Sequence, residues 1–166
     1  MSREFDVIIY GASGFTGRLV AEYMGKTYGA SANWAIAGRN KAKLAEVRDL
    51  VGAPSTTPLL TADASDPESL RAMVKRAQCI CTTVGPYQLY GSELVKLCAE
   101  EGTHYVDLSG EPGWMHEMIS SHQAAAEASG ARIVHSCGFD SIPFDLGVYF
   151  LQKAAIAQTG KPMPRV

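Results

Sequence analysis

Three glycines stand at three-residue intervals in Gly11-Ala-Ser-Gly14-Phe-Thr-Gly17, directly after the apolar run Phe5-Asp-Val-Ile-Ile-Tyr10. That spacing suits one task. The first glycine permits a tight turn, the second lets backbone approach a diphosphate, and the third lets a helix pack closely on a strand. A helix beginning there would present free N–H groups and its positive dipole end to the phosphates. Gly11, Ser13, Gly14, Phe15, Thr16 and Gly17 are therefore candidate cofactor-binding residues.

A second signal lies at the end of the next strand. A site for NAD places Asp or Glu there, about 20 residues after the loop, to accept from the ribose 2′-hydroxyl. Here the sequence reads Ala37-Gly38-Arg39-Asn40, without an acid. Arg39 can pair with a 2′-phosphate, Lys43 one helical turn on adds a second positive charge, and Asn40 lies between them. The expected cofactor is NADP(H). Asp63 ends the third strand, where it could accept from an adenine amine or simply form a turn before Asp66.

Ligands of open α/β sheets sit at the carboxyl ends of the strands. Three such ends combine glycine with polar groups: Val84-Gly85-Pro86-Tyr87, Asp107-Leu-Ser-Gly110-Glu111 and Gly138-Phe-Asp140-Ser. Val84, Gly85 and Pro86 are cofactor-side candidates. Tyr87, Glu111 and Asp140 are candidates to supply a proton or polarise an acceptor beside the hydride that a nicotinamide delivers. None of His104, His116, His122 and His135 has a partner at catalytic spacing, and His135 reads as core or cofactor-adjacent. No metal site is expected.

The elements that must position these residues alternate along the chain. Strands are expected at 5–10, 34–37, 58–61, 79–84, 105–108 and 132–135, with helices at 16–28, 41–50, from 67, 92–101, 114–129 and 142–158. Asp66-Pro67-Glu68 and Asn40 are helix-start signals. Six strand–helix alternations with short turns imply an α/β fold, a Rossmann-type doubly wound parallel sheet of about six strands with helices on both faces. Residues 1–160 form that domain. Residues 161–166 read as the start of a linker to a catalytic domain absent from this chain.

Composition narrows the classes. Hydrophobic residues are 46% and charged residues 19% of the 166, and the net charge is −2 with basic residues scattered, which argues against nucleic-acid binding. No stretch has transmembrane or signal-peptide character, so a cytoplasmic protein is expected. The four cysteines read as buried free thiols, with Cys79 and Cys81 on one strand face.

Taken in order, GASGFTGR (11–18), AGRN (37–40), VGPY (84–87), YVDLSGE (105–111) and GFDSIP (138–143) resemble the N-terminal domain of saccharopine dehydrogenase-like oxidoreductases, a group that includes trans-acting enoyl reductases of lipid biosynthesis. The resemblance implies an NADP-binding domain followed by an α+β domain that supplies most of the pocket for a small-molecule or lipid-type substrate, with a homodimer among the expected assemblies. Gly138-Phe-Asp-Ser-Ile-Pro143 departs from the Gly-Leu-Asp-Pro-Gly loop of saccharopine-forming members, which favours the enoyl-reductase-like branch. Two rivals remain open. Tyr149 and Lys153, with Ser136 upstream, have the spacing of a single-domain short-chain dehydrogenase, and the chain could also be a non-enzymatic NADP(H) sensor.

Overall fold

The computed structural model describes residues 3–166. Six parallel strands form one sheet, β1 (Phe5–Tyr10), β2 (Trp34–Gly38), β3 (Leu59–Thr61), β4 (Ala77–Thr82), β5 (His104–Val106) and β6 (Ile133–Val134), in the order β3-β2-β1-β4-β5-β6. The order reverses between β1 and β4, the point where open α/β sheets hold ligands. Register pairs Ile8 with Ala35 on one side and with Ile80 on the other, so β1 is central and buried.

Alternation along β1 sends side chains to two cores. Ile9, Ile36 and Trp34 pack with Ala21 of α1 (Phe15–Thr27) and Leu44 of α2 (Lys41–Leu50). Ile8, Tyr10 and Ile80 pack on the other face with α3 (Pro67–Val74), α5 (Ser92–Glu101) and α6 (Pro112–Ser129) through Leu70, Val74, Leu94, Leu97 and Met118. Each such aliphatic side chain contributes about 1.5–3 kcal/mol on burial. Local caps agree with the sequence. Asn40 accepts from Lys43 N at 3.1 Å, and Asp66 accepts from the N–H groups of Glu68 and Ser69 with Pro67 in the first turn.

Some boundaries differ from expectation. β4 runs over Ala77–Thr82 rather than 79–84, because Phe5 pairs with Ala77 and Thr82 Oγ1 accepts from Val84 N at 3.2 Å, turning the chain out of the sheet. A short helix, α4 (Tyr87–Tyr90), follows, which no periodicity announced. Only Cys98 is buried. Cys79, Cys81 and Cys137 are half-buried, and all four thiols are free. Burial pushes the Cys79 and Cys81 thiols up to about 11.

The last helix, α7 (Ile142–Thr159), buries none of its residues. Phe144, Tyr149, Phe150 and Ile156 stand exposed along it. An apolar helix of this kind is ordinarily covered. Among the described residues no helix is long and apolar enough to cross a membrane.

Candidate cofactor and active site

The ends of β1 to β4 and the start of α1 enclose a cleft of about 310 Å³, at the lower end of the usual range for ligand pockets. Tyr10 and Gly11 come from β1 and its turn, Ser13 and Gly14 from the glycine loop, Gly38 and Arg39 from β2, Asp63 to Ser65 from β3, Thr83 to Gly85 from β4, and Tyr90 from α4. Thr83 Oγ1 donates toward Tyr10 O and Gly11 O at 3.4 and 3.3 Å, locking β4 against the loop.

The loop's shape depends on missing side chains. Gly11 has φ +91°, and a Cβ there would lie 2.7 Å from Val84 Cγ2. A Cβ on Gly17 would lie 2.2 Å from Gly11 O. Only glycine permits both the turn and the approach of α1 to it. The α1 N-terminus has neither a side-chain cap nor an acid in its first turn, whereas α2 and α3 are capped by Asn40 and Asp66. Its N–H groups therefore remain available to an anion.

Charge around the cleft suits a phosphorylated ribose. Arg39 is exposed, and among the described residues no carboxylate lies within ion-pair distance of it. Asp63 Oδ1 accepts from Ser65 N and Ser65 Oγ at 2.9 and 2.8 Å. Those two bonds, with a smaller contribution from Arg39, hold its carboxyl below the usual range. Asp63 thus both forms the turn and lines the cleft. Burial pushes the Tyr10 hydroxyl up to about 12, leaving it a neutral floor.

Seven of the sequence candidates converge here: Gly11, Ser13, Gly14, Arg39, Asp63, Val84 and Gly85. Phe15 is not among the cleft-lining residues and is 74% exposed. Thr16 is half-buried in α1, Gly17 supports the loop from behind, and Lys43 is exposed in the first turn of α2. Asn40 uses its side-chain oxygen as the α2 cap. Pro86 precedes α4, joined to Gly85 by a cis peptide. Tyr10, Ala64, Ser65, Thr83 and Tyr90 line the cleft but were not singled out, although Tyr10 closes the first expected strand.

Of the three proton-transfer candidates, the structure brings Tyr87 and Glu111 into contact. Tyr87 is buried, its hydroxyl donating to Thr82 O at 3.2 Å and accepting from Leu108 N at 3.3 Å, and burial raises it to about 12. Glu111 accepts from Tyr87 N and Gln88 N, both at 2.8 Å, holding the first turn of α4. Asp140 is exposed on the loop after β6.

A polar hub that the sequence did not announce sits at the ends of β5 and β6. Asp107 is buried and accepts from Tyr105 Oη at 2.9 Å, Ser109 N at 2.9 Å, Ser136 N at 2.9 Å and His135 Nδ1 at 2.7 Å. Burial alone would raise its carboxyl, but the bonds from His135, Ser109 and Ser136 draw it below the usual range. Ser136 adopts φ +59°, a strained conformation for a non-glycine residue, and its hydroxyl donates to Ser109 O at 2.7 Å. The expectation that no histidine has a partner is corrected here: His135 is paired with Asp107 across 28 residues.

Residues 7–134 match the family described as saccharopine dehydrogenase NADP binding domain. The chain belongs to this family. It is 52% identical over 154 residues to a Mycobacterium tuberculosis protein provisionally named a trans-acting enoyl reductase, covering 92% of this chain and 36% of that one. It is 48% identical over 155 residues to a Mycobacterium leprae trans-acting enoyl reductase, covering 93% and 37%. The domain thus spans a little over a third of the length of these relatives. In fold it is similar to Saccharomyces cerevisiae saccharopine dehydrogenase (L-Glu forming), with TM-score 0.65, 18% identity, and 94% and 32% of the two chains covered. It is also similar to Citrobacter sp. triphenylmethane reductase complexed with NADP(H), with TM-score 0.58, 18% identity, and 94% and 55% covered.

The short-chain dehydrogenase alternative rests on Tyr149, Lys153 and Ser136. Lys153 Nζ lies over the Tyr149 ring, 5.3 Å from its centroid, and the Ser136 hydroxyl is committed to Ser109 O.

Proposed function

We propose that this is the cofactor-holding part of a cytoplasmic NADPH-dependent reductase that acts on an activated carbon–carbon double bond of a lipid-type substrate. The observation that carries this reading is the cleft itself, with a phosphate loop shaped by Gly11, Gly14 and Gly17 at one wall and the unpaired Arg39 at the acid-free end of β2. The residues fit NADP(H). Gly11 to Gly17 would hold the diphosphate, Arg39 and Lys43 the 2′-phosphate, Asp63 the adenine edge, and Val84 to Pro86 the nicotinamide side. When bound, the cofactor supplies hydride.

The chain's own residues shape and orient. Tyr87 and Glu111 brace α4 and the β4 loop through bonds already made, so their part is positioning. Asp140 is the member of the three left exposed. The double-bond substrate is inferred from the names of the relatives, of whose length the chain covers 36–37%. On this reading residues 161–166 open a linker, and the exposed apolar surface of α7 is covered by the remaining polypeptide, which brings most of the substrate pocket. The test is single-turnover mixing of the full-length protein with NADPH and an α,β-unsaturated acyl thioester. Loss of the 340 nm absorbance of NADPH with saturated product supports the reading. Tight NADPH binding without turnover of enoyl or carbonyl compounds would favour a sensor.

A further inference from the structure

Tyr87 and Tyr90, at the two ends of the single turn α4, have opposite surroundings. Tyr87 is buried, whereas Tyr90 lines the cofactor cleft and is 47% exposed. The turn that carries Tyr90 is fixed at both ends. At its start Glu111 accepts from Tyr87 N and Gln88 N, both at 2.8 Å, and the Tyr87 ring lies against Trp114 with centroids 5.5 Å apart. Just past its end Gly91 packs on the same indole so closely that a Cβ there would lie 2.7 Å from Trp114 Cζ2. The Tyr90 ring itself joins none of the aromatic pairs among the described residues. An aromatic wall held in this way loses little freedom when a flat ring stacks on it.

We propose that Tyr90 is the aromatic wall on which the adenine of NADP(H) stacks, while Asp63 accepts from the amine at the edge of the same ring. The assignment rests on NADP(H) occupying this cleft. Strand order decides which of the cofactor's two rings is meant. A dinucleotide binds across the reversal of strand order, with one mononucleotide half on each side. On the β1–β3 side the lining holds Arg39 and Asp63, the groups suited to a 2′-phosphate and an adenine amine, above the floor made by Tyr10. From the turn at Asp63–Ser65, α3 crosses to β4 on the Tyr10 side of the sheet, so that turn and Tyr90 open on one space. Val84 adjoins Gly11 of the phosphate loop, where the two halves meet. The ends of β5 and β6, on the side of the nicotinamide half, contribute no residue to this lining. Every base offers a π-face, and stacking on an aromatic side chain needs no polar partner. A half-exposed tyrosine at the rim meets that need, and Asp63 supplies the polar contact at the ring's edge.

The test is calorimetric titration of the 166-residue chain, Tyr90→Ala and Tyr90→Phe with NADPH, NADH and 2′-phospho-ADP-ribose, which lacks the nicotinamide. Tyr90→Ala should weaken NADPH and 2′-phospho-ADP-ribose by the same factor, at least about fivefold, as base stacking on an aromatic side chain provides. Tyr90→Phe keeps the ring and should stay within about twofold of the unaltered chain. The ratio of NADPH to NADH affinity, set at Arg39, should be the same in all three proteins. In the unaltered chain the Tyr90 ring protons should move upfield on saturation with 2′-phospho-ADP-ribose, a change that a merely structural tyrosine does not show. Undiminished affinity in Tyr90→Ala, a loss confined to NADPH, an equal loss in Tyr90→Phe, or ring protons unmoved at saturation would each overturn the adenine assignment and leave the cofactor reading standing. Failure of the unaltered chain to bind any of the three nucleotides would overturn both. The ring-proton shift decides the matter should Tyr90→Ala not fold.

Discussion

Asp107→Asn should destabilise the domain far more than its near-identical shape suggests. The carboxylate satisfies four donors, with Oδ1 taking Ser109 N and Ser136 N, and Oδ2 taking Tyr105 Oη and His135 Nδ1. The amide can keep the two backbone donors on its oxygen. Its NH2 then faces Tyr105 Oη and His135 Nδ1, which must both become acceptors. The Tyr105 proton loses its acceptor in a buried site, and the His135 proton moves to Nε2, which has none. Two buried donors without partners at about 1–3 kcal/mol each, partly relaxed, give a loss of about 2–4 kcal/mol. Urea unfolding monitored by far-UV circular dichroism measures this. The pH dependence adds a signature. The Asp107 carboxyl lies below its ordinary 3.8 in the folded state, so its stabilisation is present above that value and is lost as pH falls through the folded-state value. The difference between the parent chain and Asp107→Asn should therefore be full at neutral pH and shrink only below about pH 4. A loss under about 1 kcal/mol at pH 7, or a difference that persists into stronger acid, would refute the hub as described.

Other perturbations separate binding from folding. Gly17→Ala drives a methyl to 2.2 Å from Gly11 O, so it should weaken NADPH at least about tenfold by calorimetry while thermal unfolding shows only the loss of about 1–3 kcal/mol typical of overpacking. Asn40→Ala removes the α2 cap and should lower unfolding free energy by about 1 kcal/mol, whereas Asn40→Asp keeps the cap and should reduce the preference for NADPH over NADH. Replacing Phe144 and Phe150 of α7 by serine should suppress concentration-dependent association in light scattering with little change in stability, since both side chains are exposed.

What the sequence revealed was local. The glycine loop, the Asn40 and Asp66 caps, and the change from the apolar run Phe5–Tyr10 to helical spacing are each written within a few neighbouring residues, and all stand in the structure. What it concealed was non-local or too short to have a period. Ala77 belongs to β4 because it pairs with Phe5, a partner 72 positions away, and the polar Gln78 beside it points outward to Asp6. α4 is a single turn held by Glu111 from another loop. The Asp107–His135 pair spans two strands, and nothing near either residue announces the other. The same logic separates the candidates in the cleft. Arg39 and Gly14 were legible from strand and loop ends, while the occupation of Tyr87 and Glu111 by structural bonds follows only from the folding of three loops together.

The central claim is that the cleft at the ends of β1 to β4 holds NADP(H), with Arg39 selecting the 2′-phosphate. Calorimetric titration with NADPH and NADH, on the chain and on Arg39→Ala, tests it most directly. A charge-assisted bond of about 1.5–3 kcal/mol, taken at its lower end because Arg39 is exposed, predicts that NADPH binds about tenfold or more tightly than NADH and that Arg39→Ala removes most of that preference. Equal affinities in the unaltered chain, or a preference untouched by Arg39→Ala, would contradict it.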